Sequence, residues 1–153
     1  MLNYVASDRL AALYELAAYA GLRRAELCGL RWRDIDSDGG GVQIEQTIVD
    51  LSRGQAGAVD IRCPSCGNEH RGRYFKAPKS DAGERWVPLA PPAQEALHVH
   101  RQAQLEEKAM FGPDNRDHDL VFCQVDGDPL RPDAVTRVQR SRRRMRTATD
   151  PPA

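Results

Sequence analysis

The stretch YAGLRRAELCGLRWRDID, residues 19–36, constrains this chain more than any other part of it. A helix running up to Ala20 must stop at Gly21, the residue type that enters left-handed backbone without a Cβ penalty. A second helix starts at once, with Arg23 and Arg24 in its opening turn and Glu26 three residues after Arg23. Leu27, Leu30 and Trp32 supply apolar anchors before the acidic turn Asp34-Ile35-Asp36.

The 153 residues are enough for one domain with a hydrophobic core. Lys+Arg and Asp+Glu both count 22, so the net charge is zero, but the charge is unevenly placed. From Arg131 to Arg146 there are seven arginines and one acid, Asp133. Hydrophobic residues at 41% argue for a folded rather than a disordered chain. No apolar run approaches the ~18 residues of a membrane span, and the N-terminus lacks the basic-then-apolar order of a signal peptide. A cytoplasmic location is therefore expected, in which Cys28, Cys63, Cys66 and Cys123 are thiols or metal ligands rather than disulfides.

Along the chain, Ser7 is positioned to cap a helix over 8–20, with Leu10, Leu13, Leu16, Ala17 and Ala20 at helical spacing. A short helix is predicted over 23–30. VQIEQTIV, residues 42–49, alternates as a strand with Val42, Ile44, Gln46 and Ile48 on one face. Residues 50–73 are polar and Gly-rich. Residues 74–77 and 84–89 read as strands around a turn at Ser80–Gly83, followed by a long helix over 92–110 that ends before Gly112-Pro113. DLVFC, residues 119–123, reads as a short buried segment, and Pro132 opens a last helix over about 132–146. This order predicts an α+β fold, mainly helical, with a small antiparallel β-hairpin or three-stranded sheet. One domain is expected over 1–146, carrying a polar Cys-containing insertion at 50–73, with a frayed tail at 147–153.

Three blocks bear on chemistry. The first is the helix start at Arg23. Phosphoryl transfer needs fixed positive charge on the non-bridging phosphate oxygens, and a guanidinium supplies it with forked geometry and a permanent charge. Backbone N–H donors at the helix start would face the same phosphate, and Glu26 would hold Arg23 in place. The plain alternative is a surface Arg/Glu pair on an amphipathic helix. The second block is PKSDAGERWVPL, residues 78–89, with Lys79 just before a turn and Lys76 three residues earlier. The third is DLVFCQVDGDPLRPDAVTRVQR, residues 119–140, a buried segment and a turn leading into a helix through Pro132 and Val135.

In this order, the three blocks resemble the catalytic domain of the tyrosine recombinases, the phage integrase family, from about residue 10 to residue 140. The resemblance implies DNA integration or site-specific recombination on double-stranded DNA, together with other recombinase protomers, through a DNA–phosphotyrosyl intermediate that requires no metal or cofactor. It implies that Arg23 and Lys79 are catalytic, Lys79 protonating the leaving 5′ oxygen, with Glu26 in support and Lys76 as the fallback lysine. Arg24, Lys76, Arg137 and Arg140 are candidate DNA-binding residues, against the plain reading of a solvated helix face for the Arg-rich end.

The pattern departs from the family in two places. A His-x-x-Arg box and a nucleophilic Tyr should follow residue 140, yet the last tyrosine in these residues is Tyr74. His98-Val-His-Arg101 spells such a box too early in the chain and reads as part of a solvated helix face. By the same resemblance, the family's N-terminal DNA-binding domains are expected to be absent. The expectation is a truncated or frameshifted catalytic-domain fragment, inactive by itself; the alternative is a non-catalytic DNA- or protein-binding remnant that interferes with an intact recombinase. Cys63-Pro-Ser-Cys66-Gly67 has the form of a zinc knuckle, with His70 as a third ligand. A second Cys-x-x-Cys is lacking, so the loop reads either as a structural zinc site beside Lys79 or as a free-thiol loop.

Overall fold

The computed structural model describes residues 8–51, 63, 67, 72–78 and 83–136. Ser7, Lys79, Cys66, His70, Arg137, Arg140 and the tail at 147–153 lie outside the described residues.

The first helix, α1 (Ala11–Tyr19), buries Ala12, Leu13 and Leu16. Asp8 leads into it: its carboxylate accepts the Leu10 N–H at 2.8 Å and its carbonyl accepts the Ala11 N–H at 2.8 Å. Gly21 ends the segment at φ +61 with open space around its Cα, so backbone conformation alone calls for glycine there. Helix α2 (Arg24–Gly29) follows with Arg23 as its N-cap. It lies close on the next strand: a Cβ on Gly29 would come within 3.2 Å of the Thr47 and Ile48 backbone.

The strand expected over 42–49 is two strands. After β1 (Ile35–Asp36) come β2 (Gly41–Ile44) and β3 (Thr47–Asp50), broken at Glu45-Gln46. The physical cause is Gln46, whose buried side chain leaves the strand pattern and donates to the Gly29 carbonyl at 2.7 Å. The halves then join different antiparallel sheets: β1-β2-β5 with β5 (Arg85–Pro88), and β3-β4 with β4 (Arg73–Lys76).

The expected hairpin of 74–77 with 84–89 is also corrected, because β4 and β5 are not partners. Gly41 pairs with Pro88 and Ile44 with Arg85, whereas Thr47 pairs with Lys76 and Asp50 with Arg73. Both strands therefore lie along one bent partner, broken at residues 45 and 46. Pro78 and Gly83 approach closely, since a Cβ on Gly83 would sit 2.4 Å from the Pro78 Cβ.

Helix α3 (Pro91–Phe111) opens on two prolines and buries Ala93, Leu97, His100 and Gln104, one stripe at helical spacing. The buried polar pair on that stripe holds the DLVFC segment. The Gln104 Nε2 donates to the Leu120 and Val121 carbonyls at 3.1 and 3.0 Å, and its Oε1 accepts the Trp32 indole N–H at 2.7 Å. The His100 ring lies 2.6 Å from the Val121 carbonyl through Nε2. Leu120, Val121, Phe122 and Cys123 are buried, and Val121 N–H donates to Leu30 O at 2.8 Å, so the segment seals the end of α2. Residues 132–136 begin the last helix. The architecture is α+β, with one core formed where α1, α2, α3, β2, β3 and the DLVFC segment meet. Among the described residues no helix is long and apolar enough to cross a membrane.

Candidate active site

Glu26 is the organising residue of the first block. It is 2% exposed, and its carboxylate receives three close donors. The Arg23 backbone N–H donates to Oε2 at 2.7 Å. The Arg85 guanidinium donates in forked fashion, Nη1 to Oε1 at 3.0 Å and Nη2 to Oε2 at 3.1 Å. Burial by itself would raise the Glu26 carboxyl; the hydrogen bonds from Arg85 and from the Arg23 N–H, with the two guanidinium charges, outweigh it and hold the group below the ordinary carboxylate range. The same contacts raise Arg85 above its usual value, the hydrogen bond to Glu26 first.

Arg23 itself stands outside this cluster. Its side chain is 80% exposed, and its Nη1 lies 3.8 Å from Glu26 Oε1, beyond hydrogen-bonding range. Arg23 is the cap residue of α2, and its own N–H is taken by Glu26.

Arg24, the next residue, is exposed, and its Nη1 donates to the Thr136 hydroxyl, linking α2 to the start of the last helix. Lys76 ends β4 opposite Thr47 and is half-buried. Lys79, between Lys76 and Arg85 in sequence, lies outside the described residues, as do Arg137 and Arg140. Arg85 was not singled out by sequence reasoning. Its signal was available in principle: a glutamate one turn into a short, apolar-flanked helix needs a cation, and Arg85 opens the return strand of the second block.

The early His-x-x-Arg divides. His98 and Arg101 are exposed, and the Arg101 guanidinium lies 5.0 Å from the Trp32 ring centroid. His100 between them is buried and holds the core. In the cysteine loop, Cys63 is buried, its sulfur accepts the Phe75 N–H at 3.3 Å, and its carbonyl accepts the Gly67 N–H at 2.8 Å. Cys66 and His70 lie outside the described residues, among which no group of three or more His, Cys, Asp or Glu is arranged to hold a metal ion. Burial pushes the Cys28 thiol up to about 12 and raises that of Cys123, so both are core thiols.

A family model, the phage integrase family, matches residues 2–150. The chain belongs to the phage integrase family. Among its relatives is a XerC-like tyrosine recombinase of Caldanaerobacter subterraneus subsp. tengcongensis, 34% identical over 104 residues, covering 68% of this chain and 24% of that protein. The prophage integrase IntR of Escherichia coli K12 is 34% identical over 87 residues, or 56% of this chain and 16% of that protein. The chain thus spans about a quarter or less of the length of these relatives. In fold it is similar to the Tn1549 transposon integrase, solved in complex with transposon right-end DNA. The TM-score is 0.60 at 17% identity, covering 84% of this chain and 36% of that one. It is likewise similar to XerA recombinase, with TM-score 0.56 at 20% identity, covering 90% of this chain and 36% of that one. Within this phage integrase fold, α2 and the second block pair Glu26 with Arg85, and the Arg23 guanidinium stands exposed beside that pair.

Proposed function

We propose that this chain supplies the phosphate-binding part of a site-specific recombination or integration reaction on double-stranded DNA. The observation that carries the reading is the Arg23 guanidinium, exposed at the start of a helix whose buried Glu26 is already paired with Arg85. In this role Arg23 neutralises charge that develops on the scissile phosphate, and Lys79 protonates the leaving 5′ oxygen. Arg24, Lys76, Arg137 and Arg140 add sequence-independent phosphate contacts. Other recombinase protomers are the natural protein partners, and a DNA substrate implies a cytoplasmic location. The chemistry requires no cofactor. For the CPSC loop the proposed part is structural: Cys63 is bonded to β4 through the Phe75 N–H, and zinc on Cys63, Cys66 and His70 would stiffen the loop without entering the reaction.

Binding of the 153-residue chain to double-stranded DNA under graded salt tests this, beside incubation with a nicked suicide substrate. The expected result is reversible binding that weakens steeply with salt, falls about tenfold in Arg23→Ala, and leaves no covalent adduct, since the last tyrosine in these residues is Tyr74. Binding that is absent or indifferent to salt overturns the DNA reading. A covalent adduct overturns the expectation that these residues are inactive alone.

A further inference from the structure

Glu26 sits between two arginines that it treats unequally. Arg85 is 33% exposed and grips both carboxylate oxygens, at 3.0 and 3.1 Å. Arg23 is 80% exposed and stays 3.8 Å away. A carboxylate offers about four acceptor positions; two are filled by Arg85 and one by the Arg23 N–H. A forked, partly enclosed pair of this kind is the stronger sort of charge-assisted contact.

We infer that Arg85 is a positioning residue for DNA binding: by neutralising Glu26 it prevents that carboxylate from capturing Arg23, and so leaves the Arg23 guanidinium available to a phosphate. This deepens, and rests on, the DNA reading above.

The argument is one of competition at short range. Without Arg85, the buried carboxylate keeps one N–H donor and loses the only cation bonded to it among the described residues. An uncompensated buried charge takes the nearest counter-charge within reach. The Arg23 Nη1 needs to move only about 1 Å, from 3.8 Å to the ordinary ~2.9 Å range, to become that partner. Its positive charge is then spent on Glu26, and a phosphate meets a neutral ion pair in place of a cation. The pairing also spans the two blocks: Arg85 opens β5, directly after the segment that carries Lys79, and Glu26 is on α2. One contact therefore fixes the second block to the first and sets the charge of the first.

Two variants and one chemical probe test this. Arg85→Gln removes the cation. The double variant Glu26→Gln, Arg85→Gln removes the competing carboxylate as well. Binding to a duplex of ~30 base pairs is measured as log K against log salt, where each phosphate contact contributes a slope of about 0.9. R85Q is expected to lose about one contact's worth of slope and about tenfold in affinity at 0.1 M salt. The double variant is expected to regain the slope, which a merely structural role for Arg85 does not allow. R85Q with the original slope overturns the inference, and so does a double variant as weak as R85Q. Should R85Q fail to fold, the double variant alone decides: an unchanged slope upholds the inference and a slope lowered by about one overturns it. Labelling of Arg23 by a dicarbonyl reagent, read by peptide mass, separates this from the DNA reading. Labelling that slows in R85Q and recovers in the double variant upholds the competition even for a chain that binds no DNA; labelling unchanged in R85Q refutes it.

Discussion

The Gln46 side chain donates a 2.7 Å hydrogen bond to the main-chain carbonyl of Gly29, so the residue that divides a strand also closes the C-terminal end of α2. That carbonyl belongs to the last turn of a short helix, where intrahelical partners run out. Gln46→Leu fills similar space and removes the donor. It is expected to destabilise the chain by roughly 1–3 kcal/mol, the cost of leaving a buried acceptor unmet. A urea titration of both proteins checks this, with the difference appearing in the midpoint and an unchanged slope.

Acid sensitivity should appear in two pH windows, one set by a carboxyl and one by histidines. The Glu26 carboxyl is held below its ordinary value of 4.5 in the folded chain, burial opposing and the Arg85 and Arg23 hydrogen bonds prevailing. The unfolded state therefore binds the proton first, and the stabilisation is complete above pH 4.5 and is lost as pH falls below it. Glu26→Gln should reduce the loss of stability below that point, measured as melting temperature against pH, while the part due to Asp117, lowered chiefly by its hydrogen bond with Lys108, remains.

His100 acts earlier. Burial lowers it below its ordinary 6.5, against the opposing Val121 carbonyl hydrogen bond and the Glu107 charge, while Arg9 adds to the lowering. His118 is lowered in the same direction, also chiefly by burial. For these groups the unfolded state again takes the proton first, so stability starts to fall as pH drops through 6.5. His100→Gln, which keeps a donor for Val121, should remove part of the loss between about pH 6.5 and 5 while leaving the loss below 4.5 in place.

Gly127 admits no side chain. Its φ is +88, and a Cβ there would lie 2.0 Å from the Arg116 carbonyl oxygen, in a turn that brings Asp128 beside Arg116. Gly127→Ala forces either the turn or residue 116 to move, and a cost of order 1–3 kcal/mol is expected from the backbone strain. Thermal melting of the variant reads it directly.

The core thiols should be silent until the chain opens. With Cys28 pushed up to about 12, Cys123 raised and Cys63 buried, iodoacetamide at neutral pH should leave all three unmodified in the folded chain and label them in denaturant. Peptide mass mapping reports each site, and zinc analysis of the same preparation tests the CPSC loop.

Local signals made much of this fold legible. Gly21 marks a backbone conformation, the α3 stripe repeats at helical spacing, and Leu120–Cys123 of DLVFC is apolar throughout, so each could be read from neighbours in sequence. Gln46 could not. It falls on the same alternating face as Val42, Ile44 and Ile48, and only the position of Gly29, 17 residues away, shows that its amide has another use. Arg85 was hidden for the same reason, since its partner is 59 residues distant and an arginine at a strand start ordinarily faces water. His98 and His100 look equivalent in sequence, yet the helix turns one outward and the other onto Val121.

The two ladders along the bent strand carry one more consequence. Lys76 and Arg85 are each fixed by their own pairing, with Thr47 and with Ile44, and Gly83 closes on Pro78 between them. The two ladders are therefore anchored independently of each other, and a change in the number of residues between Pro78 and Gly83 is expected to displace neither register. The sequence there is free to vary in length among descendants of this chain while Glu26, Arg85 and the core stay where they are, a freedom that the paired strands do not share.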